Sequence, residues 1–227
     1  MNILYTFYIL LLSFISNIII FYTGAAFGGG GSDSSGNCKP SRFDTKKLDN
    51  LDVNATKVDL RRSEITNDDL ILIVERLKEM PNLVGLNLNG NQITSIEGLS
   101  GLVGLTTLRL YGNQITSIEG LSGLVSITGL YLGNNRITSI EGLSGLFGLT
   151  SLDLECNEIT SIEGLSELVG LTTLDLRRNK ITSIEGLSEL VGLTTLYLNG
   201  NQITSIEGLS ELVGLTRLYL SGNQIQG

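Results

Sequence analysis

The stretch LVGLNLNGNQITSIEGLSGLVG, residues 83–104, decides the fold, because near-copies of it follow one another through the rest of the chain. Asparagines recur every 22 residues, at Asn91, Asn113, Asn135, Asn157, Asn179, Asn201 and Asn223. Around each the frame reads L-x-x-L-x-L-x-x-N-x-I, starting at Leu83, Leu105, Ile127, Leu149, Leu171, Leu193 and Leu215. Self-similarity at a fixed period of this length is the signature of a solenoid. Leu86-Asn87-Leu88 and Leu108-Arg109-Leu110 alternate apolar and polar, as a half-buried strand must, so each turn supplies one short parallel strand. Ile93, Ile96, Leu99 and Leu102 recur at spacing three, which predicts a tight 3₁₀ return rather than a full α-helix.

Where the chain leaves each strand, the turn strands backbone N–H and C=O groups that need partners. An inward amide supplies both donors and acceptors, so the asparagine column is expected to form a structural ladder. The column Glu97, Glu119, Glu141, Glu163, Glu185 and Glu207 falls on the return side, where a carboxylate at the start of each helical turn suits its free N–H groups.

The repeat unit resembles the leucine-rich repeat family over residues 83 to 227. Within it, the 22-residue unit is similar to the class found in regulators of type-one protein phosphatase and in bacterial internalins. The resemblance implies an α/β right-handed solenoid, an arc with a parallel sheet on its concave side. It also implies protein recognition rather than catalysis.

Upstream, Leu60, Ser63 and Ile65 precede Leu88, Asn91 and Ile93 by 28 residues, a longer first turn. Its extra length predicts a helix with Asn67 as N-cap, Leu70, Ile73, Val74 and Leu77 on one face, and Pro81 beyond its end. Residues 48–82 are read as an N-terminal cap and 83–227 as seven repeats, the last incomplete. Before them, 28–47 is a Gly/Ser-rich linker and 1–27 a signal peptide or membrane anchor, since Ile3 to Tyr22 is almost wholly apolar. A cleavage site after Ala25 or Ala26 predicts export or surface display. The basic residues Lys39, Arg42, Lys46 and Lys47 behind the apolar run favour the alternative, an anchor with the repeats in the cytoplasm. That alternative would be a regulatory or scaffold subunit like the phosphatase regulator. Asn54-Ala55-Thr56 is a glycosylation sequon compatible with export.

The chain has 15 Lys+Arg against 23 Asp+Glu, a formal net charge of -8, which argues against nucleic acid as a partner. With no histidine, the side chain best suited to proton transfer at neutral pH is missing. Cys38 and Cys156 follow no metal-ligand spacing and are read as unpaired thiols.

The near-copies differ chiefly on the strands. The outward mid-strand position runs Asn87, Arg109, Tyr131, Asp153, Asp175, Tyr197, Tyr219, and the position two residues on runs Asn89, Tyr111, Gly133, Glu155, Arg177, Asn199, Ser221. Tyrosine and arginine are the commonest interface anchors. Arg109, Tyr111, Tyr131, Asp153, Glu155, Asp175, Arg177, Tyr197 and Tyr219 are therefore the expected partner-binding residues. Asp153 beside Asp175 superficially resembles a glycosidase carboxylate pair, but a shallow, solvated sheet gives little desolvation to separate the two pKa values. An acidic contact patch is the plainer reading, with a calcium site behind it. No catalytic residue, metal or cofactor is assigned. Residues 83–227 hold 13 acids and 6 bases, so a protein with basic features is the expected partner. Any membrane contact is confined to the N-terminal segment, and the uncapped C-terminal edge is expected to self-associate.

Overall fold

The structure is a computed structural model and describes residues 43–225. The leader, most of the linker and Cys38 lie outside them. Among the described residues no helix is long and apolar enough to cross a membrane.

Eight three-residue strands form one parallel sheet in sequence order: β1 Lys57–Asp59, β2 Gly85–Asn87, β3 Thr107–Arg109, β4 Gly129–Tyr131, β5 Ser151–Asp153, β6 Thr173–Asp175, β7 Thr195–Tyr197 and β8 Arg217–Tyr219. From β2 onward the register is the sequence period itself, Leu86 pairing with Leu108 and Leu108 with Leu130. The first step is 28 residues, Val58 pairing with Leu86. Inside the solenoid the leucines and isoleucines stack turn upon turn, with Leu88, Leu110, Ile115 and Leu132 all at 0% exposure. No single repeat could bury that surface alone.

On the opposite side run five 3₁₀ segments, and their starting points change along the chain. The first three, Glu97–Gly101, Glu119–Leu121 and Glu141–Leu143, begin at the glutamate. The last two, Leu165–Glu167 and Leu187–Glu189, begin two residues later, after Gly164 and Gly186 swing to φ 98° and 94°. Glu163 and Glu185 thus precede their helical turns, so the expected N-terminal placement holds for Glu97, Glu119 and Glu141 only. In all six turns the backbone N–H of the glutamate donates to a serine hydroxyl two residues back, as Glu163 does to Ser161 at 3.1 Å.

Helix α1, Lys46–Asp49, and helix α2, Asn67–Lys78, close the N-terminal end. The N-cap of α2 is Thr66 rather than Asn67. Asp69 Oδ2 accepts from the Thr66 N–H at 2.8 Å and from its hydroxyl at 2.7 Å, and the Thr66 side chain accepts in turn from the Asp69 N–H to complete a capping box. Asn67 instead reaches across to the next turn, where its Oδ1 accepts from Thr94 N at 2.8 Å. Phe43 is buried and α1 begins at Lys46, so residues 43–47, expected to belong to the linker, pack with the folded part.

The sheet is bordered on both sides by side-chain ladders. On the outgoing side each asparagine bonds to its own turn and to the one before: Asn113 Nδ2 donates to Leu110 O and Leu88 O, both at 3.0 Å, and its Oδ1 accepts from Ile93 N at 3.1 Å. On the incoming side threonine hydroxyls donate to the carbonyl 22 residues back, from Thr106 to Val84 through Thr216 to Thr194.

Immediately before each ladder asparagine the backbone turns left-handed, through Gly90, Gly112, Asn134, Cys156, Arg178, Gly200 and Gly222. Cys156 and Arg178 hold φ 53° with side chains that disfavour it. A left-handed L-residue costs roughly 1–2 kcal/mol and glycine's extra unfolded-state entropy roughly 0.5–1 kcal/mol. Cys156→Gly should therefore raise the unfolding free energy by about 0.5–1 kcal/mol. Calorimetry giving a melting temperature at or below that of the parent would contradict this.

Candidate functional site

Each strand presents its middle leucine to the core and the residue after it to the open face. Register then lines up Asn87, Arg109, Tyr131, Asp153, Asp175, Tyr197 and Tyr219 on consecutive strands, with Asp59 of β1 at the head. All nine expected contact residues lie on this one face, and they form three connected groups.

The first group is aromatic. The Arg109 guanidinium lies 4.4 Å from the centre of the Tyr131 ring, a cation–π contact. Tyr111 lies against Gly133: a Cβ there would fall 2.9 Å from Tyr111 Cδ2 and 3.1 Å from Asp153 Oδ1. The missing side chain at Gly133 is what lets the Tyr111 ring approach Asp153. Gly133 was not singled out from the sequence, where it reads only as a gap in a variable column.

The second group is ionic. Arg177 Nε donates to Asp175 Oδ1 at 3.0 Å and Oδ2 at 2.9 Å, and its Nη2 reaches Asp175 Oδ2 at 2.6 Å and Glu155 Oε2 at 2.9 Å. Asp175 is buried, at 7% exposure, and these carboxylates raise the Arg177 pKa further above its already high ordinary value. Arg178 stands 3.8 Å from Glu155 at the rim. Asp153 is less well served. Burial lifts its carboxyl above the ordinary range, opposed by the hydrogen bond from Glu155 N at 3.0 Å, while the charges of Asp175 and Glu155 add to the rise.

Asp153, Glu155 and Asp175 bring carboxylate oxygens within 4.8 Å of one another. The guanidinium of Arg177 already occupies Asp175 and Glu155, so a calcium ion would have to displace it. Those contacts make the cluster an ion-pair network with surplus negative charge.

In the third group Tyr197 and Tyr219 stack face to face, with centroids 4.8 Å apart and planes inclined by 8°. Arg177 covers Tyr197 at 5.0 Å and so links the ionic and aromatic groups. Asn54 lies apart from this face, in an exposed turn where its N–H donates to Asp52 Oδ1 at 2.9 Å.

Models of the leucine-rich repeat match residues 81–123 and 103–145 as paired copies, and 125–181, 147–203 and 169–225 as longer units. Among solved structures, internalin C2 from Listeria monocytogenes strain 4b F2365 is similar at 30% identity, over 86% of this chain and 80% of that one, with a TM-score of 0.70. The internalin InlF from the same strain is 24% identical over 86% of this chain and 66% of its own, with a TM-score of 0.52. The functional domain of InlJ from Listeria monocytogenes is 19% identical over 76% and 55%, with a TM-score of 0.54. The last two are likenesses of fold alone. No curated protein matches the chain significantly. Parallel strands in 22-residue register, the asparagine ladder and matches running from residue 81 to 225 have one common reading: this chain belongs to the leucine-rich repeat family.

Proposed function

We propose that the chain is a non-catalytic binding module, exported or tethered at the cell surface, that captures a protein with basic features on its sheet face. The family and its internalin-like neighbours are those of protein-interaction modules. The observation that carries the finer reading is the contrast between two faces. The return side repeats T-S-I-E-G-L-S almost unchanged, whereas arginines, tyrosines and carboxylates vary from strand to strand on the other and contact one another there. Docking orders little further, because these side chains already lie stacked or ion-paired on a rigid sheet. A cationic side chain entering beside Asp153 would neutralise the one acid of the network that Arg177 does not bond.

Capture of a partner from native extract, followed by titration, tests the reading. Tyr197→Ala combined with Tyr219→Ala should weaken binding by roughly thirtyfold, about 2 kcal/mol, with little loss of stability. Thr182→Ala with Ser183→Ala, on the return side, should leave it unaltered. Loss of capture in the return-side pair but not in the tyrosine pair would mean the sheet face is not the working surface. For the export half of the proposal, the mature protein should begin near Ala26, and a native protein starting at Met1 would overturn it.

A further inference from the structure

We propose that a second surface, the flank carrying Val103, Val125, Phe147, Val169, Val191 and Val213, pairs with the same flank of a second copy running antiparallel. These six apolar residues share one phase of the repeat and are 57%, 63%, 64%, 59%, 58% and 89% exposed, while the leucine before each is buried. Apolar side chains scattered singly over a surface need no explanation, but one in every turn at the same place makes a continuous stripe. Close packing of successive turns keeps it continuous: a Cβ on Gly170 would lie 3.2 Å from Leu149 O and 3.4 Å from Phe147 O.

The charges beside the stripe select the occupant and its direction. Two residues before each stripe member, with a buried leucine between, stand Gly101, Gly123 and Gly145 in the first half and the exposed Glu167, Glu189 and Glu211 in the second. Two copies packed in parallel would set each of these glutamates against its own counterpart. A two-fold axis between Phe147 and Val169 instead places Val103 opposite Val213, Val125 opposite Val191 and Phe147 opposite Val169. Each glutamate then meets a glycine and no glutamate meets another.

The ends match as well. Lys78 already lies over Gly101, where a Cβ would be 3.0 Å from its Cε and 3.8 Å from its Nζ, so its ammonium, which pairs with Glu75 Oε1 at 2.7 Å, also stands where Glu211 of the second copy arrives. Beside it a cleft of about 240 Å³, lined by Leu77, Met80, Pro81, Leu83, Val103 and Leu105, receives Val213, the most exposed member of the stripe.

The test uses the full chain in a mild detergent that disperses the N-terminal apolar segment. In a Cys38→Ser, Cys156→Gly background, a Val103→Cys chain mixed with a Val213→Cys chain should form a disulfide-linked pair on mild oxidation, and neither alone should. Light scattering should report a dimer for the parent and require at least tenfold more Phe147→Asp/Val169→Asp protein to reach it, with an unchanged circular dichroism spectrum. Homodisulfides from either chain alone, absence of the mixed disulfide, or a mass indifferent to the aspartates would overturn the proposal, as association through the leader or the C-terminal edge would produce. Loss of a captured protein with no change in mass would assign the stripe to a different partner and overturn it equally.

Discussion

Asn135→Ala and Asn157→Ala should each lower the unfolding free energy by about 2–3 kcal/mol, whereas Asn223→Ala should lower it by less than about 1 kcal/mol. Asn135 Oδ1 accepts from Ile115 N at 3.0 Å, and its Nδ2 donates to Leu110 O at 3.0 Å and Leu132 O at 2.9 Å. The two carbonyls survive the loss in part. Leu110 O also accepts from Asn113 Nδ2 at 3.0 Å, and Leu132 O from Asn157 Nδ2 at 3.1 Å. The Ile115 N–H has no such second partner, and Ile115 is at 0% exposure. A buried unsatisfied donor costs roughly 1–3 kcal/mol, and the space vacated by the amide adds to it. Asn223 makes the same three kinds of bond but is only partly buried, so water can replace it. Urea titration of the three variants checks the order, and a common midpoint for all of them and the parent would sink the account.

The fold was legible because the solenoid repeats its demands as faithfully as its residues. Strand phase, the asparagine column and the 3₁₀ returns all follow from positions that recur every 22 residues, and each recurrence is a fresh vote for the same geometry. What escaped the reading is what repetition disguises or breaks. The threonine ladder recurs as regularly as the asparagines, but an exposed threonine on an incoming strand carries no mark of its hydrogen bond to the preceding turn. The left-handed position was hidden because Cys156 and Arg178 stand in a column otherwise held by glycine and asparagine. At the N-terminal end no second copy exists to arbitrate. There the sequence points to Asn67 as the cap, and only the bonds of Asp69 to Thr66 and of Asn67 to Thr94 show that Thr66 caps the helix and Asn67 serves the neighbouring turn.

The face itself could be read from the columns, but its wiring could not. Strand register places Asp153 beside Asp175 whatever their rotamers, yet whether the pair awaits a metal, a proton or a cation depends on where Arg177 points. Arg177 follows Asp175 by two residues in the chain just past β6, a spacing that in extended backbone puts both side chains on one face. In sequence it is one more expected contact residue beside an acidic patch. In the structure it lies between Asp175 and Glu155. The Gly-to-Glu change at 167 and 189 reads in sequence only as added charge, although the two turns that carry it also begin their helical segments at a new place.

Arg177→Leu should cost about 2–4 kcal/mol at neutral pH, and much of that loss should be recovered on acidification. The substitution leaves Asp175, 7% exposed, beside Asp153 and Glu155 with no guanidinium bonded to them. Breaking a fully buried pair costs roughly 3–5 kcal/mol, and the 38% exposure of the Arg177 side chain places this one lower. The sign of the pH dependence follows from Asp153, whose folded-state pKa is raised above its ordinary value of 3.8. Such a group destabilises the fold at pH values above its raised pKa, and that penalty fades as pH falls through it toward the unfolded value. The Arg177 charge opposes that rise, so without it the Asp153 carboxyl is pushed up further and the gap between variant and parent should narrow between pH 7 and about pH 4. A gap that stays constant or widens would contradict the network. Asp153→Asn supplies the converse: it keeps an Oδ1 acceptor for Glu155 N, removes the penalised charge, and should melt higher than the parent at pH 7 with the advantage fading toward about pH 4. If that stabler variant also captures the partner less well, Asp153 is a charge held ionised at the expense of the fold for the sake of a cation on the partner.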